Sequence, residues 1–225
     1  MEPVSLPAPG RLVSVNVATA FRYDSWAGGP DSRSGIDKRA AAGRVAVRDH
    51  QVIGDLIGDL TDHGGLDQAV YAYAREDAAW WEAELERALP PGSFGENLST
   101  EGVDVTGAVI GERWAIGSAV FEVSGPRIPC RVFAGFWDVP QLVKRFTVRG
   151  DPGAYLRILV EGEVGAGDRI DIVHRPAHGA TISDVFRALT GDRSLAPRLV
   201  EVAELPENHR NRFRKWLAEP AIPQT

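Results

Sequence analysis

Between residues 106 and 175 short apolar segments alternate with turn signals at close intervals, and no other feature restricts the fold as tightly. The stretch "AVIGERWAIGSAVFEVSGP" is broken repeatedly by glycine. The stretch "AYLRILVEGEVGAGDRIDIVHR" gives two more strands around a Gly-rich turn. Strands of about five to eight residues, with turns every 8 to 12, suit a barrel or folded sheet rather than a doubly wound α/β fold.

The first half of the chain has the same texture. "RLVSVNVATAF" (11–21) alternates and is β-branched, which predicts a strand. "SWAGGPDSRSGID" (25–37) reads as loop, and "GRVAVRDHQVI" (43–53) as a strand or a hairpin turning near Asp49. "GDLIGDLTDHGGLDQ" (54–68) is dense in Gly and Asp, an ordered loop, and "AVYAY" (69–73) suits a strand. One helix interrupts. "AREDAAWWEAELERAL" (74–89) sets Ala74, Ala78, Trp81 and Leu85 at helical spacing, and "PPG" stops it.

After Pro176 the 2-residue period gives way to one of 3.6. "TISDVFRALTG" offers Ser183 as an N-cap, and "LAPRLVEVAELPENHRNRFRKWLAEP" reads as two short helices split at Pro206. The expected organisation is a mainly β domain with some α over residues 1–175, then a small helical extension over 176–225.

Charge and composition remove several function classes. A net charge of -6 gives no reason to expect nucleic acid or a membrane surface as partner, and no apolar run approaches the roughly 20 residues of a membrane helix. "MEPVSLPAPGRL" lacks the basic start and apolar core of an export signal, so with one cysteine a reducing cytoplasm is expected. Lysine occurs only at 38, 144 and 215, which limits Schiff-base chemistry, pyridoxal phosphate included, to those three positions. Any bound anion would meet mainly arginine forks and backbone N–H groups.

Familiar catalytic motifs are missing. There is no G-x-x-x-x-G-K, G-x-G-x-x-G or H-E-x-x-H, and "PGSFG" has Pro91 where a nucleophile elbow needs glycine. The five histidines show no metal-site spacing with Cys130, which speaks against a zinc hydrolase. What remains is a set of polar loops that secondary structure does not explain. In "DHGGLDQAVY", Asp62, His63, Gly64 and Gly65 precede a strand, and the glycines permit close approach to a ligand. In "PGSFGENLST", Gly95, Glu96 and Asn97 offer bare backbone, a carboxylate and an amide.

"VSGPRIPCRVF" is the sharpest of these loops. Pro126 and Pro129 stiffen the backbone around Arg127, and the only cysteine follows at Cys130. Such a thiol is a buried hydrophobe, a reactive thiolate or a metal ligand; Arg127 and Arg131 would favour the thiolate. In "SGIDKRAAAGR", Lys38, Arg39 and Arg44 could face a phosphate, or form a solvated charged face.

In this order and spacing, "SGIDKRAAAGRV", "GDLTDHGGLDQAVYAYAREDAAWW", "FGENLSTEGV", "IGERWAIGSAVFEVSGPRIPC" and "GAYLRILVEGEVGAGDRI" resemble the MOSC domain family, named for the C-terminal domain of molybdenum cofactor sulfurase. The likeness is to its small bacterial YiiM-type members. It implies a β-barrel-like domain and a molybdenum cofactor of molybdopterin type, with Cys130 as the metal's protein thiolate. It also implies that Lys38, Arg39, His63, Gly64, Gly65, Asn97, Arg127 and Arg157 line or shape the cofactor pocket. Gly125 departs from relatives that often carry Gln there.

The resemblance further implies reduction of N-hydroxylated purine bases, amidoximes or hydroxylamines by a molybdenum-dependent oxidoreductase, with a separate electron-donating reductase as partner. Asp62, His63 and Glu96 are the candidate proton carriers. A homodimer is left open. The alternatives are a sulfur carrier using Cys130 and a non-catalytic cofactor-binding module.

Overall fold

The computed structural model describes residues 6–27, 31–59 and 64–219. The strands are β1 (Gly10–Val17), β2 (Arg22–Tyr23), β3 (Arg33–Ser34), β4 (Arg39–Ala40), β5 (Val45–Arg48), β6 (Gln51–Val52), β7 (Val70–Ala74), β8 (Leu98–Glu101), β9 (Arg113–Ile116), β10 (Ala119–Pro126), β11 (Ala154–Val160), β12 (Gly162–Val164) and β13 (Arg169–His174). The helices are α1 (Arg75–Leu85), α2 (Arg131–Trp137), α3 (Leu142–Arg149), α4 (Ile182–Thr190), α5 (Ala196–Leu199) and α6 (Glu207–Ala218).

Seven strands close a barrel in the order β1-β13-β9-β10-β11-β7-β8, with β8 returning to β1 and β4 added alongside. All the barrel pairings are antiparallel except β7 with β8, which run parallel because α1 crosses between them. The expected hairpin near Asp49 is β5–β6. Asp49 and His50 take φ of 51° and 59°, the left-handed pair that a tight two-residue turn requires.

Strand β7 shows how the sequence separates two apolar layers. Its Val70, Ala72 and Ala74 face the barrel interior, whereas Tyr71 and Tyr73 point outward into an aromatic cluster under α1–α3. That cluster joins Trp81, Phe94, Phe133, Trp137 and Phe146; the Tyr73 and Phe94 rings stack with centroids 3.9 Å apart. Aromatic pairs of this kind add roughly 0.5–1.5 kcal/mol each beyond simple burial.

Helices α2 and α3 lie inside a stretch read from sequence as β. "RVFAGFW" is rich in β-branched and aromatic residues, so local preference misleads and the aromatic cluster decides. Gly135 is needed in α2 because a Cβ there would sit 2.2 Å from Trp26 Cβ. The α1 helix ends at Glu86, in the left-handed conformation, before the prolines are reached.

The C-terminal helices are not a detached appendage. Val185, Leu199 and Phe213 belong to the same apolar cluster as Leu12 and Phe121 of the barrel. Thr181, not Ser183, caps α4: its side chain accepts from Asp184 N while the Asp184 carboxylate accepts from Thr181 N. Among the described residues, no helix is long and apolar enough to cross a membrane.

Candidate functional site

The cavity lies against the outer face of the barrel wall, where Tyr71 of β7 and Tyr155 of β11 are paired across the strands. Tyr71 lies at the start of β7, Asn97 just before β8, Arg127 just after β10 and Tyr155 at the start of β11. Loops carrying Arg33–Lys38, Gln51–Asp59 and Gly64–Ala69 close the other side around a volume of about 380 Å³. Lys38, Gly64, Asn97, Arg127 and Cys130, distant in sequence, all line this space.

The stiff turn at Pro126–Pro129 delivers two of these groups. Cys130 has extended backbone (φ -128°, ψ 172°) and stands at the N-cap of α2, half-buried, with its thiol at the cavity. Arg127 is buried. Its guanidinium stacks over Phe133 at 4.1 Å and lies 5.5 Å from the Tyr71 ring centroid. Its Nη1 is buried without a hydrogen-bond partner, and no carboxylate pairs with it among the described salt bridges. A buried donor left open at a cavity wall is the mark of a group shaped for a ligand acceptor.

Lys38 meets a different solution. Its ammonium is buried against the Asp55 carboxylate, which also accepts from Ala18 N at 2.8 Å and Asn97 Nδ2 at 2.8 Å. Burial pulls the Lys38 ammonium below its ordinary value, while Asp55 opposes that shift. Asn97 is fixed on three sides: it also donates to Asn16 O at 3.2 Å and accepts from Tyr71 N at 3.2 Å. Its amide therefore shapes the wall through rigid backbone contacts.

Two phenols complete the wall. Tyr71 Oη donates to Pro152 O at 2.8 Å, and the Tyr71 and Tyr155 rings lie 5.4 Å apart. Burial pushes both phenols up against the opposing pull of Arg127, so both stay protonated. Sequence reasoning did not single out Tyr71, Tyr155, Asp55 or Gln68. Alternation in "AVYAY" marks Tyr71 as a residue facing away from the barrel interior, but nothing local marks that face as a cavity wall.

Other expected site residues are placed elsewhere. Arg39 is exposed and pairs with Asp37 at 2.7 Å, outside the cavity lining. Arg157 pairs with Asp67 at 2.6 Å and Glu122 at 2.9 Å, bracing the β10–β11 wall. Arg44 bonds both Asp168 oxygens, at 2.9 and 3.0 Å, and faces no ligand space. Gly65 has a φ of 77° but does not line the cavity.

Glu96, expected as a proton carrier, is only 1% exposed and accepts from Gly92 N, Phe94 N and Ser99 Oγ at 2.6–2.9 Å. Its carboxylate holds the 92–99 loop and does not reach the cavity surface. His63 and Asp62 lie outside the described residues.

Among the described residues, four cations (Arg33, Lys38, Arg127 and Arg131) face the cavity against two carboxylates, Asp55 and Asp59. The excess favours an anionic ligand. The described residues hold no cluster of three or more His, Cys, Asp or Glu able to take a metal ion.

Comparison with known proteins adds the family. The MOSC domain profile matches residues 59–171, half of the chain. The uncharacterized protein YflK of Bacillus subtilis (strain 168) is 33% identical over 209 residues, covering 91% of this chain and 93% of its own length. A Gibberella moniliformis protein named "Reductase" is 31% identical over 208 residues, 89% of this chain, which spans only 36% of that protein's length. YiiM from Geobacillus stearothermophilus superposes with a TM-score of 0.77 at 27% identity, over 93% of this chain and 100% of that one. The chain belongs to the MOSC domain family and is related to the bacterial YiiM-type proteins.

Proposed function

We propose that the chain is a molybdenum-cofactor-dependent reductase of N-hydroxylated compounds. One observation carries this reading: the buried, unpartnered Nη1 of Arg127 shares a cavity with the chain's only thiol, Cys130. A soft thiolate beside fixed cation donors matches a metal held on an anionic organic group. The residues present fit such a group. Cys130 would hold the metal, Arg127, Arg33 and Lys38 would face its negative charge, and Gly64 and Asn97 would shape the wall.

When bound, this cofactor supplies two-electron oxygen-atom chemistry. The protein supplies orientation and electrostatics. Arg127 keeps its geometry on the Phe133 and Tyr71 rings, so it is oriented before any ligand arrives. Tyr155 and Tyr71 remain neutral and can donate hydrogen bonds but not negative charge. The overall reaction cleaves one N–O bond: two electrons and two protons convert an N-hydroxylated amine to the amine and water.

In this reading the electrons come from a separate electron-donating reductase, since the one cysteine of these 225 residues cannot hold an iron–sulfur cluster. The name of the fungal relative, "Reductase", supports a reductive role.

The test is Cys130→Ser in protein loaded with the cofactor and driven by an artificial two-electron donor. We expect reduction of an N-hydroxylated purine to fall at least about 100-fold, with fold and pterin content retained, because serine offers a harder and far less acidic ligand. Substantial turnover at unchanged metal content would overturn the assignment. Cyanide-removable sulfur on Cys130 without stoichiometric metal would favour sulfur transfer instead.

A further inference from the structure

A second, much smaller cavity of about 20 Å³ lies behind the main one, lined by Asp67, Gln68, Ser124, Gly125, Tyr155 and His209 among others. Gln68 and Tyr155 line both spaces, so the small cavity touches the wall of the large one. Its volume suits one water molecule. Gln68 Oε1 is buried with no hydrogen-bond partner, an acceptor that a water here would satisfy.

The opposite wall comes from the C-terminal helix α6, through His209. The imidazole lies against Gly125: a Cβ there would be in ordinary contact with His209 Nε2, at 3.6 Å. Ser124 Oγ lies 2.5 Å from Asp67 O and 2.9 Å from Tyr155 O, tying the turn that carries Gln68 to the barrel wall. The charged groups acting on the imidazole are Arg212, from its own helix, and Asp67, from the turn. Burial and Arg212 hold His209 below its ordinary value and Asp67 opposes them, so the imidazole is neutral at pH 7.

We infer that His209 is a positioning residue for the main cavity, fixing the Gln68 side chain there through one buried water between the imidazole and Gln68 Oε1. The C-terminal helices thus act on the ligand site without touching the ligand. The inference rests on the proposed function only in taking the main cavity as the ligand site.

The experiment has two readouts. In the unliganded protein, the Gln68 side-chain amide resonances should shift and broaden in His209→Phe, which fills the space but carries no nitrogen. They should recover in His209→Gln, which keeps an N–H near the same place. Unchanged resonances in His209→Phe overturn the inference. For cofactor affinity, His209→Phe and Gln68→Met should each weaken binding roughly 5- to 10-fold, and the double variant no further, because both remove one linked contact. Fully additive losses, or none, also overturn it. If the wild type takes up no cofactor, the functional reading fails, and the resonances still decide the water link.

Discussion

Two arginines on neighbouring strands of the barrel wall show how a structural cation differs from one turned toward a ligand. Arg157, on β11, spends its guanidinium on Asp67 and Glu122, and Glu122 is shared with Arg113 at 3.2 Å. Arg127, just beyond β10, is more deeply buried, lies over the Phe133 and Tyr71 rings with no carboxylate paired to it among the described ion pairs, and leaves Nη1 open. Burying an unpaired charge is costly, so such an arrangement persists where the completed site supplies the counter-charge. The sequence marks Arg127 through its proline-flanked turn beside Cys130, whereas Arg157 enters only through the family resemblance. Neither stretch names the partners of its arginine, and only the fold shows that Arg157 has carboxylates opposite.

The largest effect should come from removing that difference. Arg127→Met should lower cofactor affinity by about 100-fold or more, as expected for loss of a charged hydrogen-bond donor in a dry site, while the unliganded protein melts no lower than wild type. Arg157→Met should do the reverse. Breaking its partly buried pairs should cost about 1–3 kcal/mol of stability and leave cofactor affinity within about 2-fold. Thermal melts and cofactor titrations of both variants decide the matter. Equal affinity losses would mean that Arg157 also serves the ligand.

A pair of carboxyls sharpens the point, because it is another site of unfavourable charge but lies away from the cavity lining. Asp77, in the first turn of α1, is pushed up to about 7 by burial and then by Asp151. Its folded value lies above the unfolded one. Its contribution to stability is therefore fully present below about pH 3.8 and is lost as pH rises through about 7. Asp77→Asn should flatten the pH dependence of melting across that window and stabilise the protein at pH 8 by roughly 1–3 kcal/mol, since the residue is not fully buried. Cofactor affinity should not change. A change would show that charge anywhere on this face, and not the cavity alone, controls binding.

The parts of the site legible in the sequence were those written in backbone chemistry. The two prolines around Arg127, the glycines of the 58–68 loop and the Asp49–His50 turn each impose a local conformation that the structure shows wherever the residues are described. The barrel was legible for the same reason, as alternation broken by turns. Functional assignment of individual charges was not. Glu96 lies in a polar motif whose own Ser99 and loop amides take up its carboxylate, and Arg157 lies in an apolar strand whose partners, Asp67 and Glu122, come from other segments. Tyr155 and Gln68 enter the cavity wall only because β11 meets the turn that precedes β7. Helices α2 and α3 were hidden because their aromatic residues suit a strand until a common cluster gathers them.

Lys38 and Arg39 give the smallest predicted effect and the finest contrast. They are adjacent in sequence, yet Lys38 is buried at the cavity with Asp55, and Arg39 opens β4 with its side chain 65% exposed, paired to Asp37. An exposed pair of this kind is worth at most about 1 kcal/mol and is screened by salt. Arg39→Ala should therefore change cofactor affinity by less than about 2-fold and stability by under about 0.5 kcal/mol. Lys38→Met strands the Asp55 carboxylate in the wall, where Ala18 N and Asn97 Nδ2 still bond to it, and should weaken cofactor binding several-fold. The two variants, titrated with cofactor at low and at high salt, separate a cation inside the site from one beside it. If Arg39→Ala weakens binding at low salt alone, its charge acts by long-range attraction. A loss that persists at high salt would place Arg39 in the site after all.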